Sequence, residues 1–234
     1  MEQDRPQSRQ ELALETRVLE SEKEAAAVAA AELVRPGMRV GLGTGTTVAH
    51  LIPALARRGL KGVRYAASSP RTEQLAKAAG LPVFGLEEFN GQLDLTIDGA
   101  DQVDRSGWLI KGGGGAHTRE KILAAAAERF VVIVSANKIR DRLQPPVPLE
   151  VLPFAFPYVA AALGELQLRG GPPSPDGNLI CDYLGPIGDT ERLAERLAAT
   201  PGVVEHGLFP PSLVSEVVVG IHNGVERHSG GKNG

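Results

Sequence analysis

The sequence predicts an α/β protein: a Rossmann-like domain with a parallel sheet and helices on both faces, plus a smaller α+β domain. Short apolar segments rich in β-branched residues alternate with helical segments up to residue 136, which is the order of βαβ units. A proline-rich segment, QPPVPLEVLP at 144–153, then interrupts this alternation. We therefore place the Rossmann-like domain at residues 1–132 and 207–234 and the smaller domain at 133–206.

The first predicted element is a long helix. Alanine and leucine recur at helical spacing over 11–34, and Pro36-Gly37 ends the pattern. A capping box of Ser21 with Glu24 would instead begin a shorter helix. Residues 1–10 are polar, and we predict that they are disordered.

The rest of the first domain repeats a strand-then-helix order. Strands are predicted at MRVGLG (38–43), VRYAAS (63–68), PVFG (82–85), LDLTIDGA (93–100), WLIK (108–111) and FVVIVSA (130–136). Helices are predicted from about 47 to Gly59, over PRTEQLAKAAG (70–80) and over REKILAAAAE (119–128).

The smaller domain is predicted to hold short strands and two helices. In order these are LEVLPF (149–154), a helix over 158–169, NLICDYL (178–184), a helix over 189–199 and VVEHGLF (203–209). The segment SEVVVGIHNG at 215–224 is predicted to return to the first sheet. The last residues, RHSGGKNG at 227–234, are predicted to form a loose tail.

Composition excludes several function classes. The chain has 234 residues, 42% of them hydrophobic, with a net charge of −3 and no basic run that would follow nucleic acid phosphates. No apolar run approaches the roughly 18 residues of a membrane span, and the polar N-terminus lacks a signal-peptide core. The single cysteine, Cys181, is typical of a reducing compartment. We expect a cytoplasmic protein that binds neither nucleic acid nor membrane.

Three loops at predicted strand ends carry the candidate chemistry, and the first is GLGTGTT at 41–47. Helix N-termini after sheet strands favour phosphate, and Thr44, Thr46 and Thr47 add hydroxyl groups. A dinucleotide fingerprint is excluded because Thr46 replaces its third glycine, and a P-loop is excluded because no lysine follows Gly45. A small phosphate site and an ordinary tight turn both remain open.

The second loop is IDGADQVD at 97–104, which places Asp98, Asp101 and Asp104 after an apolar strand. Solvated turn carboxylates are one explanation, since Asp-Gly is common in turns. A calcium loop is excluded because acids spaced by three do not match the alternating ligand pattern. Carboxylates at the end of a sheet strand also suit catalysis.

The third loop is KGGGGAHTREK at 111–121. Four glycines expose backbone N–H groups, Lys111 precedes them, and Glu120 falls in the first turn of the following helix. A flexible loop with a glutamate favoured by the helix dipole would explain Glu120, but not the glycines or the lysine. A helix N-terminus also keeps Glu120 ionised and weakly basic, so we expect substrate binding to exclude water and raise its proton affinity.

Together the three loops predict one site that moves a proton next to a carbonyl group on a phosphorylated small molecule. The contents are a phosphate site, two acids, an ammonium group and a carboxylate base. No His and Cys spacing suited to a metal, no G-x-S-x-G elbow and no P-loop is present in the sequence.

At these residues the chain resembles ribose-5-phosphate isomerases of type A. The resemblance covers GLGTGTT, SS at 68–69, DGADQVD, KGGGGAHTREK, PLEV at 148–151, DGN at 176–178 and PGVVEHGLF at 201–209. It implies interconversion of ribose 5-phosphate and ribulose 5-phosphate through an enediolate, without metal or cofactor. It also implies a homodimer or homotetramer.

The resemblance assigns a role to each candidate residue. Glu120 is the base, Lys111 with the N–H groups of Gly112, Gly113 and Gly114 stabilises the oxyanion, and Asp98 and Asp101 bind hydroxyl groups and help open the furanose ring. The phosphate end is assigned to Thr44, Gly45, Thr46 and Thr47 with Lys23 and Lys138.

The chain departs from the family pattern at three places. His117 stands where the family has an apolar residue, and we interpret it as a bystander. The loop at 170–178 is shorter than its counterpart, and SANK at 135–138 lacks an acid before Lys138.

Rival readings have less support in the sequence. A coenzyme A transferase needs a nucleophilic glutamate in its own motif, which the sequence lacks. An amino-sugar phosphate deaminase is expected to use a catalytic acid–histidine pair, and the sequence matches such enzymes only at the first loop. A sugar-phosphate sensor would be expected to carry a helix-turn-helix, for which the N-terminal stretch is unsuited.

Overall fold

The computed structural model describes residues 9–233, with side chains from 13 to 232. The helices are α1 (Arg9–Ala31), α2 (Thr46–Arg58), α3 (Pro70–Ala78), α4 (His117–Ala126), α5 (Phe156–Leu163) and α6 (Thr190–Ala198). The strands are β1 (Arg39–Leu42), β2 (Arg64–Ala67), β3 (Leu93–Asp98), β4 (Gln102–Asp104), β5 (Leu109–Ile110), β6 (Ala127–Ser135), β7 (Ile139–Arg140), β8 (Val147–Val151), β9 (Leu166–Leu168), β10 (Leu179–Tyr183), β11 (Val203–His206), β12 (Leu208–Phe209), β13 (Glu216–Ile221) and β14 (Gly224–Ser229).

The main sheet has six strands in the order β14-β13-β6-β3-β1-β2. All neighbours run parallel except the β13–β14 hairpin. The predicted return of 215–224 to the first sheet is confirmed, because β13 pairs with β6 from Glu216↔Val131 to Gly220↔Ser135. This parallel sheet confirms the predicted α/β class.

Helices cover both faces of the main sheet, as predicted. Alternate residues of β6 divide between the faces: Val131 and Ile133 pack into the core under α1 and α2, and Val132 packs into the core on the opposite side, where α4 contributes Ala124. Both faces of β6 are buried, which explains its unbroken apolar run.

The smaller unit is built around the antiparallel sheet β11-β8-β10-β9. Its separate apolar core includes Val159 and Leu163 of α5 and Leu193 and Leu197 of α6. A third sheet, β12-β5-β4-β7, joins strands from both predicted domains. The predicted boundary at 132 also falls inside β6, which stays in the main sheet to Ser135, so any division begins after that residue.

Two predicted helices differ from the structure. The first helix covers Arg9–Ala31, so Ser21 and Glu24 lie inside it and the predicted disorder is wrong for residues 9 and 10. Residues 1–8 lie outside the described range. The predicted helix over 158–169 ends at Leu163 because Gly164 has φ 80, and the short strand β9 follows. Glycine adopts this conformation without the steric cost that other residues incur.

Two short terminal or connecting segments also differ. The predicted loose tail at 227–234 is wrong for its described residues. Arg227 to Ser229 pair with β13 in the β14 hairpin, and the N–H groups of Gly230 and Lys232 donate to the carbonyl oxygens of Ser215 and Val214. The predicted strand PVFG forms only a single parallel bridge, Tyr65↔Val83. No helix between residues 9 and 233 combines the length and apolar character that crossing a bilayer requires.

Candidate active site

The three predicted loops meet at one edge of the main sheet. The first follows β1, the second begins at Asp98, the last residue of β3, and the glycine loop joins β5 to α4. β1 and β3 are neighbours, with Leu42 opposite Ile97. Parallel strands place their carboxyl ends together, and this is where such sheets bind ligands.

Asp98 fixes the first loop to the second. Its side chain is completely buried, and its Oδ1 accepts hydrogen bonds from the N–H groups of Gly99 at 2.7 Å and Thr44 at 3.0 Å. A Cβ atom on Gly43 would overlap the Asp98 carboxyl group. Glycine at 43 is therefore required for the close approach of this loop to β3.

Lys111 is buried at the centre of the site. Its Nζ lies 2.8 Å from Asp98 Oδ2 and 3.0 Å from Glu120 Oε2, and it donates to the carbonyl oxygen of Gly99 at 2.6 Å. Burial favours the neutral amine, but the two carboxylates outweigh it and raise the pKa of Lys111. The lysine therefore remains a cation.

Glu120 lies in the first turn of α4 and is also buried. Burial and the neighbouring charge of Asp98 raise the pKa of Glu120 to about 8, against the opposing influence of Lys111. Burial likewise raises the pKa of Asp98. Burial within the protein alone therefore raises the proton affinity of Glu120, without the exclusion of water by substrate that the sequence analysis invokes.

The glycine loop presents its backbone to the site. Gly113 N–H donates to Asp101 Oδ2 at 2.7 Å, and Gly115 N–H donates to the carbonyl oxygen of Gly112 at 3.0 Å. Among the described residues the N–H of Gly114 has no hydrogen-bond partner. Gly114 is exposed and lines the cleft.

Gly112 is expected to resist substitution. It has φ 102, and a Cβ atom there would lie 2.6 Å from His117 Nδ1 and 2.9 Å from His117 Cβ. We expect Gly112→Ala to lower the free energy of unfolding by about 1–3 kcal/mol or more, measured by urea denaturation. Gly114→Ala is the control, since its nearest neighbour is Thr44 Cγ2 at 3.4 Å; equal losses in both variants would contradict this reading.

A cleft opens above the buried cluster. Its narrow inner part, of about 90 Å³, is lined by Lys111, Glu120 and other residues, and a wider outer part of about 860 Å³ adjoins it. The inner part brings together most of the predicted site residues: Thr44, Gly45, Thr46, Thr47, Asp101, Lys111, Gly112, Gly113, Gly114, Glu120 and Lys138. In the described part of the chain, no three His, Cys, Asp or Glu side chains are grouped to hold a metal ion.

Two predicted phosphate-end residues have other partners. Lys23 does not line the cleft, and its ammonium group lies 2.7 Å from Glu20. The Thr44 hydroxyl group lies 2.8 Å from those of both Ser68 and Ser69. Within the described residues, the hydroxyl groups of Thr46 and Thr47 have no protein hydrogen-bond partner, which leaves them as the hydroxyl groups of this loop for the phosphate end.

His117 lies beneath the glycine loop. Its side chain is completely buried, burial lowers its pKa to about 4, and its Nε2 lies 3.4 Å from the carbonyl oxygen of Glu205. It does not line the cleft, which is consistent with its interpretation as a bystander.

The sequence analysis missed the contributions of three residues to the site. Ser68 and Ser69 were part of the resemblance, but their bonds to Thr44 were not predicted. Arg169 contacts the glycine loop from the smaller unit through bonds to the carbonyl oxygens of Gly112 and Gly113. No local sequence pattern predicts the role of Arg169, because Gly113 and Gly112 lie 56 and 57 residues earlier in the chain.

Comparison with known proteins decides the family. The family model for ribose 5-phosphate isomerase A (phosphoriboisomerase A) matches residues 64–224. The chain belongs to the ribose 5-phosphate isomerase A family. A ribose-5-phosphate isomerase A from Natronomonas pharaonis is 46% identical over 220 residues, covering 88% of this chain and 96% of the relative.

Solved structures of ribose 5-phosphate isomerases share this architecture over most of the chain. The enzyme from Methanocaldococcus jannaschii matches with a TM-score of 0.84 at 36% identity, covering 90% of this chain and 99% of the other. A D-ribose-5-phosphate isomerase in complex with phospho-erythronic acid matches with a TM-score of 0.85 at 33% identity, with the same coverage of both chains. The predicted Rossmann-like fold is therefore that of the family.

Proposed function

We propose that this chain interconverts D-ribose 5-phosphate and D-ribulose 5-phosphate through an enediolate, with Glu120 as the base. The observation that carries the proposal is the buried cluster of Lys111 between Asp98 and Glu120, beside the unpaired N–H of Gly114. Membership of the ribose 5-phosphate isomerase A family supports the same substrate and reaction.

In the proposed reaction, Glu120 removes the proton from C2 of the open-chain aldose. The electron pair of that C–H bond forms the C1–C2 double bond, and the carbonyl oxygen at C1 becomes the oxyanion. The proton of the C2 hydroxyl group passes to that oxygen, and protonated Glu120 returns its proton to C1. No atom is gained or lost, as an isomerisation requires.

Lys111 is suited to this charge movement. When Glu120 takes up the proton it becomes neutral, and the negative charge moves to the substrate oxygen. The Lys111 ammonium group lies 3.0 Å from the Glu120 carboxylate and can therefore interact with the oxyanion instead. The total charge of lysine, glutamate and substrate stays constant during this step. Preorganised donors of this kind are commonly the largest contribution to catalysis.

The N-terminus of α2 is the proposed phosphate end. Its first turn holds no acidic residue, and Thr46 and Thr47 with Lys138 line the inner cleft. The exposed N–H groups and the helix dipole favour a dianion there. Lys23 stays a weaker part of the proposal, since binding phosphate would require it to leave Glu20.

Three further predictions from the resemblance or the sequence remain proposals. We propose a homodimer or homotetramer, a cytoplasmic location, and two domains divided after Ser135. The separate apolar cores of the main sheet and of the smaller unit support the division.

Incubation of the purified protein with ribose 5-phosphate tests the function directly. We expect ribulose 5-phosphate to form. The reverse reaction, started from ribulose 5-phosphate, should reach the same equilibrium mixture. The reaction should proceed equally with and without a chelator, as the metal-free assignment requires. If the protein bound the sugar phosphate but formed no ketose, the isomerase proposal would be wrong and a sugar-phosphate sensor would be the better assignment.

The raised pKa of Glu120 predicts the pH dependence of activity. The base must be ionised to accept a proton, and its pKa in the free protein is about 8. We therefore expect kcat/KM to rise with pH and to level off above about 8. A profile that is already level from pH 5 upward would contradict the assignment of Glu120 as a buried base.

A further inference from the structure

We propose that Arg169 is a positioning residue that orients the oxyanion-binding peptides of the glycine loop. This inference rests on the proposed isomerase function and adds a residue of the smaller unit to it. Arg169 directly follows β9, and its N–H continues the sheet by donating to the carbonyl oxygen of Ile180 at 2.9 Å.

The guanidinium group is held in one orientation. Nε donates to Asp182 Oδ2 at 3.0 Å and Nη2 donates to Asp182 Oδ1 at 2.5 Å. This two-bond geometry fixes the guanidinium plane, since both groups are planar. Asp182 lies on β10, so the sheet of the smaller unit holds both partners.

The remaining arm contacts the glycine loop. Nη1 donates to the carbonyl oxygens of Gly112 and Gly113, each at 3.0 Å. Four of the five N–H groups of the arginine are therefore engaged by protein atoms. An arginine so occupied has little capacity left to bind substrate, which favours a role in positioning.

The geometry of the peptide bond transmits this contact to the cleft. In a planar trans peptide the C=O and N–H point in opposite directions. Holding the oxygens of Gly112 and Gly113 on the side of Arg169 directs the N–H groups of Gly113 and Gly114 to the other side. The N–H of Gly113 donates a hydrogen bond to Asp101, which lines the cleft. The N–H of Gly114 is the unpaired donor proposed for the oxyanion.

The composition of the loop explains why an external anchor is needed. Glycine backbones sample more conformations than any other residue, so four in sequence do not hold two peptides in a defined orientation by themselves. A positive charge on the carbonyl side also polarises each peptide and strengthens its N–H as a donor. The same contact therefore orders the loop and increases its ability to stabilise negative charge.

Arg169→Ala and Arg169→Lys test the inference, with Arg39→Ala as the matched control. Arg39 forms an equivalent two-bond pair with Asp94, also at 2.5 Å and partly buried, but at the opposite edge of the main sheet. For Arg169→Ala we expect kcat to fall by about 100-fold with little change in KM, because misplaced groups affect the transition state most. Arg169→Lys should be intermediate, and Arg39→Ala should keep the wild-type kcat.

Two inhibitors separate positioning from binding. Phospho-erythronic acid carries a carboxylate whose two oxygens resemble those of an enediolate, together with a phosphate group, whereas inorganic phosphate probes only the phosphate end. Arg169→Ala should weaken inhibition by phospho-erythronic acid by the same factor as kcat/KM and leave inhibition by inorganic phosphate unchanged. Guanidinium ion added to Arg169→Ala should restore part of kcat.

Several results would overturn the inference. These are an unchanged kcat in Arg169→Ala, an equal loss for both inhibitors, or an equal loss of kcat in Arg39→Ala. If Arg169→Ala does not fold, Arg169→Lys decides by the same kcat and inhibitor measurements. Absence of turnover in the wild-type protein would refute the proposed function itself, and is measured first.

Discussion

Glu120→Gln is expected to lower kcat by about 10²–10⁴-fold while the protein stays folded. The amide keeps an oxygen for Lys111 but cannot take the proton from carbon. Removing one of two neighbouring buried carboxylates also relieves their repulsion, so the free energy of unfolding should not fall. The measurements are steady-state kinetics and urea denaturation, and the residual activity should lose its rise toward pH 8.

Glu150→Gln is the matched control for this variant. Glu150 is equally buried, accepting hydrogen bonds from Thr118, Ser174 and Asn178, but it does not line the proposed active-site cleft. Its replacement should affect stability and leave kcat nearly unchanged. A Glu120→Gln enzyme that keeps near wild-type turnover would rule out Glu120 as the base.

Lys111→Met is expected to abolish most activity and to destabilise the fold. Removing the cation removes the stabilisation of the oxyanion, for which the loss of one donor costs about 10²–10³-fold in kcat. It also leaves Asp98 and Glu120 buried without their partner, and breaking a buried pair costs about 3–5 kcal/mol. Kinetics and denaturation at several pH values measure both effects.

The stability loss in Lys111→Met should grow as pH rises. Burial already raises the pKa of both carboxylates, and removal of Lys111 raises it further. The folded state then binds more protons than the unfolded state over a wider range, so its stability falls as pH increases above the unfolded-state pKa of about 4. A loss that is independent of pH would contradict this account.

Lys121→Met provides the control for burial of a lysine. Lys121 is mostly buried, lies 2.6 Å from Glu205, and its Nζ is 4.8 Å from the ring of Phe209, which Lys111 also approaches. It does not line the cleft. We expect a smaller stability loss than in Lys111→Met, because the single carboxylate left behind, Glu205, is partly exposed, and we expect kcat to be retained.

Much of the fold could be predicted because it depends on local patterns. The β-branched run of β6 and the apolar stripe of α2 each specify their own element, and the alternation of such elements specifies the parallel sheet. Errors arose where elements are short. β9 has three residues and β7 has two, and strands this short take their form from the partners they pair with.

The sequence by itself determined which chemical groups the site contains: an ammonium group, carboxylates and bare glycine amides, each placed at a strand end by local order. Only the tertiary structure decided the raised pKa of Glu120, the burial of Lys111 between Asp98 and Glu120, and the contact of Arg169 with the glycine loop. The reason is physical. Residue type and periodicity are properties of neighbours in the chain, whereas burial and electrostatic interaction depend on distances between atoms that only the folded chain brings together.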